Sequence, residues 1–207
     1  MPSRNILKQD AAQSYYHVYA RGLNRQKIFR EPADFEKFLR LFDRYLSPTE
    51  THDANGTTFP NYFNKVELLC FCLMPNHFHL LVYQHQLGEM SQFMRSLLTS
   101  YSMYFNKKYK RTGPVFESRY KAALISDDTY LEHVSRYIHL NPRDWQHYDY
   151  SSLPYYLQRI SDGWIRPRRI TERFSTPAEY LEFVSDYVQH KEILDILKHE
   201  LADQANG

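Results

Sequence analysis

The chain has 207 residues, of which 43% are hydrophobic and 24% are charged, and its formal net charge is +2. This length fits one ordinary domain with additions, and the apolar content is sufficient for a packed core, which excludes wholesale disorder. The small net charge argues against a protein that coats nucleic acid non-specifically. No apolar run approaches the length of a membrane span, so a cytoplasmic protein without membrane contact is expected.

The charges are unevenly distributed along the chain. Residues 1–30 contain six Lys or Arg and one acidic residue, and residues 91–121 contain seven and one. Residues 171–207 reverse this balance, with three basic and eight acidic residues. A basic body with an acidic tail favours a polyanionic partner on one face, although ordinary scatter of charge over a solvated surface gives similar runs.

The first third of the chain alternates between strand and helix signals. Residues 15–21 (YYHVYAR) are β-prone and precede a turn. Residues 31–46 repeat Phe at helical spacing after Pro32, which suits a first helical turn. A Pro- and Gly-containing surface loop follows at residues 47–64. The nearly continuous apolar run at residues 66–73 predicts a central strand.

The rest of the chain adds a hairpin partner, two clear helices and a strand. The predicted elements are a strand at residues 77–83 after a turn at 74–76, a helix at 91–109 with Ser91 as its cap, a strand at 115–125 broken near 117–118, a helix from Asp127 or Asp128 to about Asn141, a loop at 149–170, and a helical segment at 177–201. The order β, α, ββ, α, β, α predicts an α+β fold in which helices pack on one face of an antiparallel sheet.

A His-Phe-His triplet begins the second strand of the predicted hairpin. On a strand, His77 and His79 project from the same face, whereas Phe78 points to the core on the other. Two imidazoles in that position can bind one divalent ion. Cys70 and Cys72 lie close by in sequence, so a zinc site of two Cys and two His is an alternative, although its spacing is shorter than that of zinc fingers.

A second constellation lies in the segment RYIHLNP. Tyr137 and Asn141 are four residues apart and therefore share one face of the predicted helix. A tyrosine hydroxyl can act as a nucleophile if its charge is stabilised, and an amide oxygen can complete a site for a hard metal. The chain has 18 tyrosines, and a packing role for Tyr137 is the plain alternative.

Three motifs, in order, resemble those of the His-hydrophobic-His single-strand transposases. They are MPNHFHLLV, YFNKKYKRTGPVFESRYK and YLEHVSRYIHLNP, and the opening YYHVYARGLNRQKIF is similar to the first strand and helix of the same proteins. Within this superfamily the chain most resembles the REP-associated tyrosine transposases, over residues 14–155.

The resemblance implies a ferredoxin-like fold with both histidines on a central strand. It also implies Mg²⁺ or Mn²⁺ held by His77, His79 and Asn141, and attack by Tyr137 on a DNA phosphate to give a 5′-phosphotyrosine and a free 3′-hydroxyl. The expected partner is single-stranded DNA, in the form of a hairpin with short flanking sequence. The implied catalytic domain is residues 1–155, and residues 156–207 form a C-terminal extension without an assigned role.

DNA contact is expected from basic residues near the first strand and after the long helix. These residues are Arg4, Lys8, Arg21, Arg25, Lys107, Lys108, Lys110, Arg111, Arg119 and Lys121. A short connection before the helix of Tyr137 favours action within one chain, as a monomer. The rival functions are a binding protein for structured nucleic acid, a nicking enzyme of the replication-initiator kind, and a metal-dependent hydrolase that leaves a free 5′-phosphate.

Overall fold

One antiparallel sheet forms the centre of the molecule. The computed structural model describes residues 10–125 and 130–186. Its strands are β1 (Ser14–Arg21), β2 (Val66–Met74), β3 (His77–Gln84) and β4 (Lys121–Ile125), and they lie in the order β2-β3-β1-β4. All neighbouring pairs are antiparallel, and helices connect β1 to β2 and β3 to β4. The predicted α+β class and ferredoxin-like sheet are therefore confirmed.

Two helices cover the first face of the sheet. Helix α1 (Pro32–Leu46) begins at a capping box in which the Asp34 side chain accepts from the backbone N–H of Glu31, with Pro32 in the first turn. Helix α2 (Glu89–Lys108) begins after Gly88, whose φ of 78° places it in the left-handed region. The predicted cap, Ser91, therefore lies inside the helix. Both helices pack their aromatic and aliphatic stripes onto the alternate residues of β1 and β3 that face them.

The second face is covered by α3 (Leu131–His139) and by three short helices from the C-terminal part of the chain. These are α4 (Leu153–Tyr156), α5 (Arg168–Thr171) and α6 (Pro177–Ser185). Together with β2 and β3 they enclose a second apolar cluster. The prediction of helices on one face only is corrected here, because the apolar strands present hydrophobic side chains on both faces and each face requires cover. The described part of the C-terminal extension belongs to this second cluster.

Strand β2 lies at the edge of the sheet and is not the central strand that its apolar run predicted. Its outer side is nevertheless paired with chain from beyond α3. The backbone N–H of Leu73 donates to Tyr150 O over 2.9 Å, and that of Ser152 donates to Phe71 O over 2.9 Å. Farther along, the N–H of Arg166 donates to Leu68 O over 2.8 Å. The apolar run thus reflects burial on both faces and along the edge.

Several predicted boundaries shift. Strand β4 covers only the last part of the predicted strand, and Phe116 forms a single bridge to Gly22 before it. Helix α3 ends at His139, two residues earlier than predicted. Its predicted start at Asp127 or Asp128 and the predicted helix beyond residue 186 fall outside the described residues. None of the helices in the described ranges is long and apolar enough to cross a membrane.

Candidate active site

His77 and His79 stand on the face of β3 that is covered by α3. Their ring centroids are 5.0 Å apart. Phe78 between them is fully buried on the opposite face, in the core formed with α1 and α2. The hairpin therefore has the two-faced arrangement that the His-Phe-His spacing predicts.

Tyr137 on α3 lies directly over the histidines. Its ring centroid is 5.5 Å from that of His79 and 5.8 Å from that of His17, edge-on in both cases. The apolar side of α3 packs into the second cluster and orients the helix across the sheet. Burial raises the pKa of Tyr137, although the charge of Arg21 lowers it in part. The hydroxyl is therefore protonated at neutral pH in the free protein.

Asn141 enters the site from just beyond the end of α3. Its Oδ1 lies 3.2 Å from Nε2 of His77, and Nδ1 of His77 lies 2.7 Å from Oδ1 of Asn76. Burial lowers the pKa of His77, and the charge of Arg21 lowers it further. The hydrogen bond with Asn141 acts in the opposite direction and raises this pKa. A neutral His77 that donates from Nδ1 to Asn76 presents the lone pair of Nε2 to the oxygen of Asn141.

That arrangement fits a metal ion. When His77 carries its proton on Nδ1, the lone pairs of His77 Nε2 and Asn141 Oδ1 face each other at 3.2 Å, and a cation between them would remove their repulsion. At this separation of 3.2 Å, both atoms would be able to hold one ion. Asn141 has an amide oxygen suited to Mg²⁺ or Mn²⁺, and His77 and His79 add neutral nitrogens.

His17, on β1, is a member of this site that the sequence analysis missed. Its Nε2 lies 2.9 Å from Nδ1 of His79, and both side chains are buried. Burial lowers the pKa of His17 to about 3. Burial, and to a smaller extent the charges of His17, His77 and Arg21, also hold the pKa of His79 well below its usual range. Both rings are therefore neutral. Strand alternation places His17 on the same face as Tyr15 and Tyr19, but only the register of β1 with β3 brings it to His79.

Two of the predicted DNA-binding residues flank the histidines. Arg21 pairs in register with His77, and Lys121 pairs with Tyr19, over whose ring its ammonium lies at 5.8 Å. Arg21 is exposed and close enough to perturb the pKa of His77 and Tyr137. These two cations therefore border the site on its open side.

The other predicted DNA-binding residues are more dispersed. The exposed ones among the described residues are Arg25, Lys107, Lys110 and Arg119, and Arg111 is half-buried. Arg119 lines a cavity of about 850 Å³ beside α2, together with Arg95 and Met103. Arg4 and Lys8 lie outside the described residues.

Lys108 is engaged within the protein. Its Nζ lies 2.6 Å from a carboxylate oxygen of Glu31 and 2.6 Å from one of Asp34, whose side chain is fully buried. Asp34 also accepts from the hydroxyls of Tyr104 and Tyr109, over 3.0 and 2.7 Å. The ammonium of Lys108 therefore joins the end of α2 to the start of α1.

The two cysteines lie in the core beneath α3. Cys70 and Cys72 are fully buried, and burial raises the pKa of the Cys70 thiol to about 12. Cys70 Sγ lies 3.3 Å from Nε2 of His139, a different histidine from the predicted pair. The described residues contain no group of three or more His, Cys, Asp or Glu able to hold a metal ion. The two-Cys, two-His zinc alternative is thus not supported by the geometry.

A buried hydrogen-bonded chain fixes α3 to the C-terminal extension. His139 Nδ1 lies 2.7 Å from the hydroxyl of Tyr180, which lies 2.9 Å from Oγ of Ser135. His139 Nε2 lies 2.7 Å from Oγ of Ser152, which also accepts from Phe71 N over 2.9 Å. One hydrogen arrangement satisfies them all: Ser152 donates to Nε2, and Nδ1–H donates to Tyr180, whose hydroxyl donates to Ser135. The helix that carries Tyr137 is therefore held from both sides.

Comparisons with known proteins agree with this architecture. Residues 59–141 match the family model described as IS200-like transposase, and this segment contains His77, His79, Tyr137 and Asn141. A solved structure of a REP-associated tyrosine transposase bound to a REP hairpin has a TM-score of 0.51 and 12% sequence identity. The match covers 73% of this chain and 84% of that one, and at this identity it shows the fold. Among curated proteins, none matches the chain. Residues 59–141 are therefore similar to the IS200-like transposases, in agreement with the resemblance of the motifs, and the chain has the fold of a REP-associated tyrosine transposase.

Proposed function

We propose that this chain cleaves and rejoins single-stranded DNA at hairpins, through a covalent 5′-phosphotyrosine intermediate on Tyr137. One observation carries the proposal: a tyrosine, two histidines and an asparagine from two separate segments converge on one face of the sheet. The IS200-like transposase match over the same residues supports this chemistry.

The metal ion would be held by His77, His79 and Asn141. Bound Mg²⁺ or Mn²⁺ supplies a Lewis acid that offsets the charge on the non-bridging oxygens of the phosphate. Because these three ligands are uncharged, they leave the full charge of the ion available to the phosphate. We expect weak affinity for the ion until oxygens of the DNA complete the coordination.

Tyr137 would act in line with the leaving oxygen. Its hydroxyl oxygen forms a bond to phosphorus while the bond from phosphorus to the 3′-oxygen breaks, and the phenolic proton is lost as the 3′-hydroxyl forms. The exposed guanidinium of Arg21, which lowers the pKa of Tyr137, favours this loss. Attack by another 3′-hydroxyl reverses the step and joins a new strand.

DNA would approach over Arg21 and Lys121 and continue along the exposed cations near the end of α2. The hairpin is proposed because the solved relative with this fold is bound to a REP hairpin. The Tyr137 ring lies 5.5 Å from the His79 ring of its own chain, which supports a monomer that uses its own tyrosine.

The test uses an end-labelled hairpin library with Mn²⁺, resolved on a denaturing gel. The wild-type protein should give a covalent adduct, whereas Tyr137→Phe should bind the hairpin and give none. His77→Ala should lose cleavage but keep most of the binding, since phosphate contacts dominate affinity. Cleavage without an adduct would indicate a hydrolase, and binding without cleavage would indicate a binding protein. Either result overturns the proposal.

The monomer is tested separately by mixing the His77→Ala and Tyr137→Phe proteins. Each variant lacks a different half of the site, so only exchange of α3 between chains can restore one complete site. We expect no adduct in the mixture. Recovery of the adduct would show that Tyr137 acts on the metal site of a partner chain.

A further inference from the structure

A third imidazole, that of His17, lies behind the histidine that faces the metal site. The side chain of His17 is 1% exposed, and its ring is nearly parallel to that of His79, with an interplanar angle of 9°. Its Nε2 lies 2.9 Å from Nδ1 of His79. The proposed cleavage chemistry gives His17 no role, so the buried pair of rings requires its own explanation.

The position of His17 is fixed by the backbone. In the register of β1 with β3, Tyr19 lies opposite His79 and His17 lies opposite Leu81. His17 and His79 are therefore diagonal neighbours on one face of two central strands. Tyr137 closes the space above them, with its ring 5.8 Å from that of His17.

The direction of the hydrogen bond between the rings determines which nitrogen of His79 has a free lone pair. A neutral imidazole carries one proton, so His79 can offer a lone pair at Nε2 only if Nδ1 carries that proton. Nδ1–H then donates to Nε2 of His17, which must be bare. In the opposite arrangement His17 donates to Nδ1, and the proton on Nε2 of His79 blocks the metal side.

Stability alone gives no reason for a histidine at this position. Nδ1 of His17 is buried and has no hydrogen-bond partner within residues 10–125 and 130–186. An unpartnered buried polar atom is destabilising, and an apolar side chain of similar size would avoid that cost. Among the described residues, the one hydrogen bond of the His17 side chain is that to His79.

We propose that His17 is a positioning residue that holds His79 in the tautomer whose Nε2 lone pair faces the metal site. This inference rests on the proposed metal site, and it assigns to His17 the supporting role that hydrogen-bonded partners of metal-binding histidines often have. His17 touches neither the metal nor the DNA; it acts through His79.

The experiment compares the wild-type protein with His17→Phe and His17→Gln. The Phe variant keeps a planar ring and removes the acceptor, whereas the amide oxygen of Gln can replace Nε2 as acceptor. The first readout is the ¹⁵N spectrum of the histidine rings in metal-free protein, which distinguishes the two tautomers. The second is Mn²⁺ affinity measured by titration, and melting temperatures establish that each variant is folded.

We expect His79 to be protonated at Nδ1 in the wild-type and His17→Gln proteins, and to lose this preference in His17→Phe. Mn²⁺ affinity should fall about 10- to 100-fold in His17→Phe and by much less in His17→Gln. If wild-type His79 carries its proton on Nε2, or if folded His17→Phe binds Mn²⁺ as the wild type does, the inference is refuted. Absence of Mn²⁺ binding by the wild type, with or without DNA, would refute the metal site and this inference with it. If His17→Phe does not fold, equal Mn²⁺ affinity in His17→Gln and in a His17→Leu variant overturns it.

Discussion

Removing the buried hydroxyl of Tyr180 should lower the stability of the fold and make the position of Tyr137 on α3 less fixed. Tyr180→Phe keeps the aromatic packing of α6 but removes the oxygen that lies 2.7 Å from Nδ1 of His139 and 2.9 Å from Oγ of Ser135. Tyr180 is 1% exposed and His139 fully buried, so water cannot replace the lost partner without a rearrangement. Burial also lowers the pKa of His139 to about 3, so its imidazole stays neutral after the hydroxyl of Tyr180 is removed.

An unpaired buried N–H costs about 1–3 kcal/mol of the free energy of unfolding. For a chain of this size, about 2 kcal/mol corresponds to a drop in melting temperature of roughly 4–8 °C. Because His139 is two residues from Tyr137, a looser α3 should also slow adduct formation, by about 10-fold, while hairpin affinity is unchanged.

The assay is thermal unfolding followed by single-turnover adduct formation. The matched control is Tyr155→Phe, whose hydroxyl donates over 2.6 Å to Asp162 at the surface, where water can replace it. The control should change the free energy of unfolding by less than about 0.5 kcal/mol. If Tyr180→Phe and Tyr155→Phe have the same melting temperature and cleave at the same rate, the buried hydrogen-bonded chain through His139 does not support α3 and the reasoning is wrong.

Three further expectations concern charge and metal. Lys108→Met should cost about 3 kcal/mol of unfolding free energy because it leaves the buried Asp34 without its cation. Lys107→Met should leave the free energy of unfolding unchanged and lower the slope of log hairpin affinity against log salt concentration by about 1. If the two variants change stability and this slope equally, the assignment of Lys108 to the fold and of Lys107 to DNA binding is wrong. The pKa of Glu67 is lowered, since the hydrogen bonds and charge of Arg169, with His85, outweigh the opposing effect of burial. The ionised Glu67 therefore stabilises the fold above its ordinary pKa of 4.5, and this stabilisation is lost as the pH falls through the lowered pKa. Urea titrations at several pH values should show that Glu67→Gln loses less stability on acidification than the wild type does. If both proteins lose stability equally, the titration of Glu67 does not contribute to acid unfolding. Excess chelator should change the melting temperature by less than about 1 °C, because a weak site adds little to folding, and a large drop would indicate a structural metal.

Much of the architecture follows from short-range patterns. The alternation in β1, the helical repeat of Phe in α1 and the His-Phe-His triplet each depend on the period of one element, and the structure confirms these elements and the orientation of the triplet. The family resemblance added what periodicity lacks, namely the placement of Tyr137 over the sheet.

The features that were missed depend on contacts between distant segments. His17 reaches His79 only through the register of β1 with β3, which no local pattern specifies. Lys108 belongs to a basic run in the sequence, yet its ammonium is bound by carboxylates more than 70 positions earlier in the chain. The start of α2 at Gly88 was missed because a left-handed glycine can end one element or begin the next.

The pairing along the outer side of β2 also has a consequence for assembly. An open strand edge is a template on which another chain can add a strand, and it is a common route to aggregation and to sheets shared between subunits. The backbone of residues 150–152 and of Arg166 already occupies the hydrogen-bonding groups of β2. Growth of the sheet from one copy into the next is therefore blocked on that side. At the other edge, no strand within residues 10–125 and 130–186 pairs with the outer side of β4 (Lys121–Ile125). A strand added at that edge would lie beside Lys121, at the border of the candidate active site.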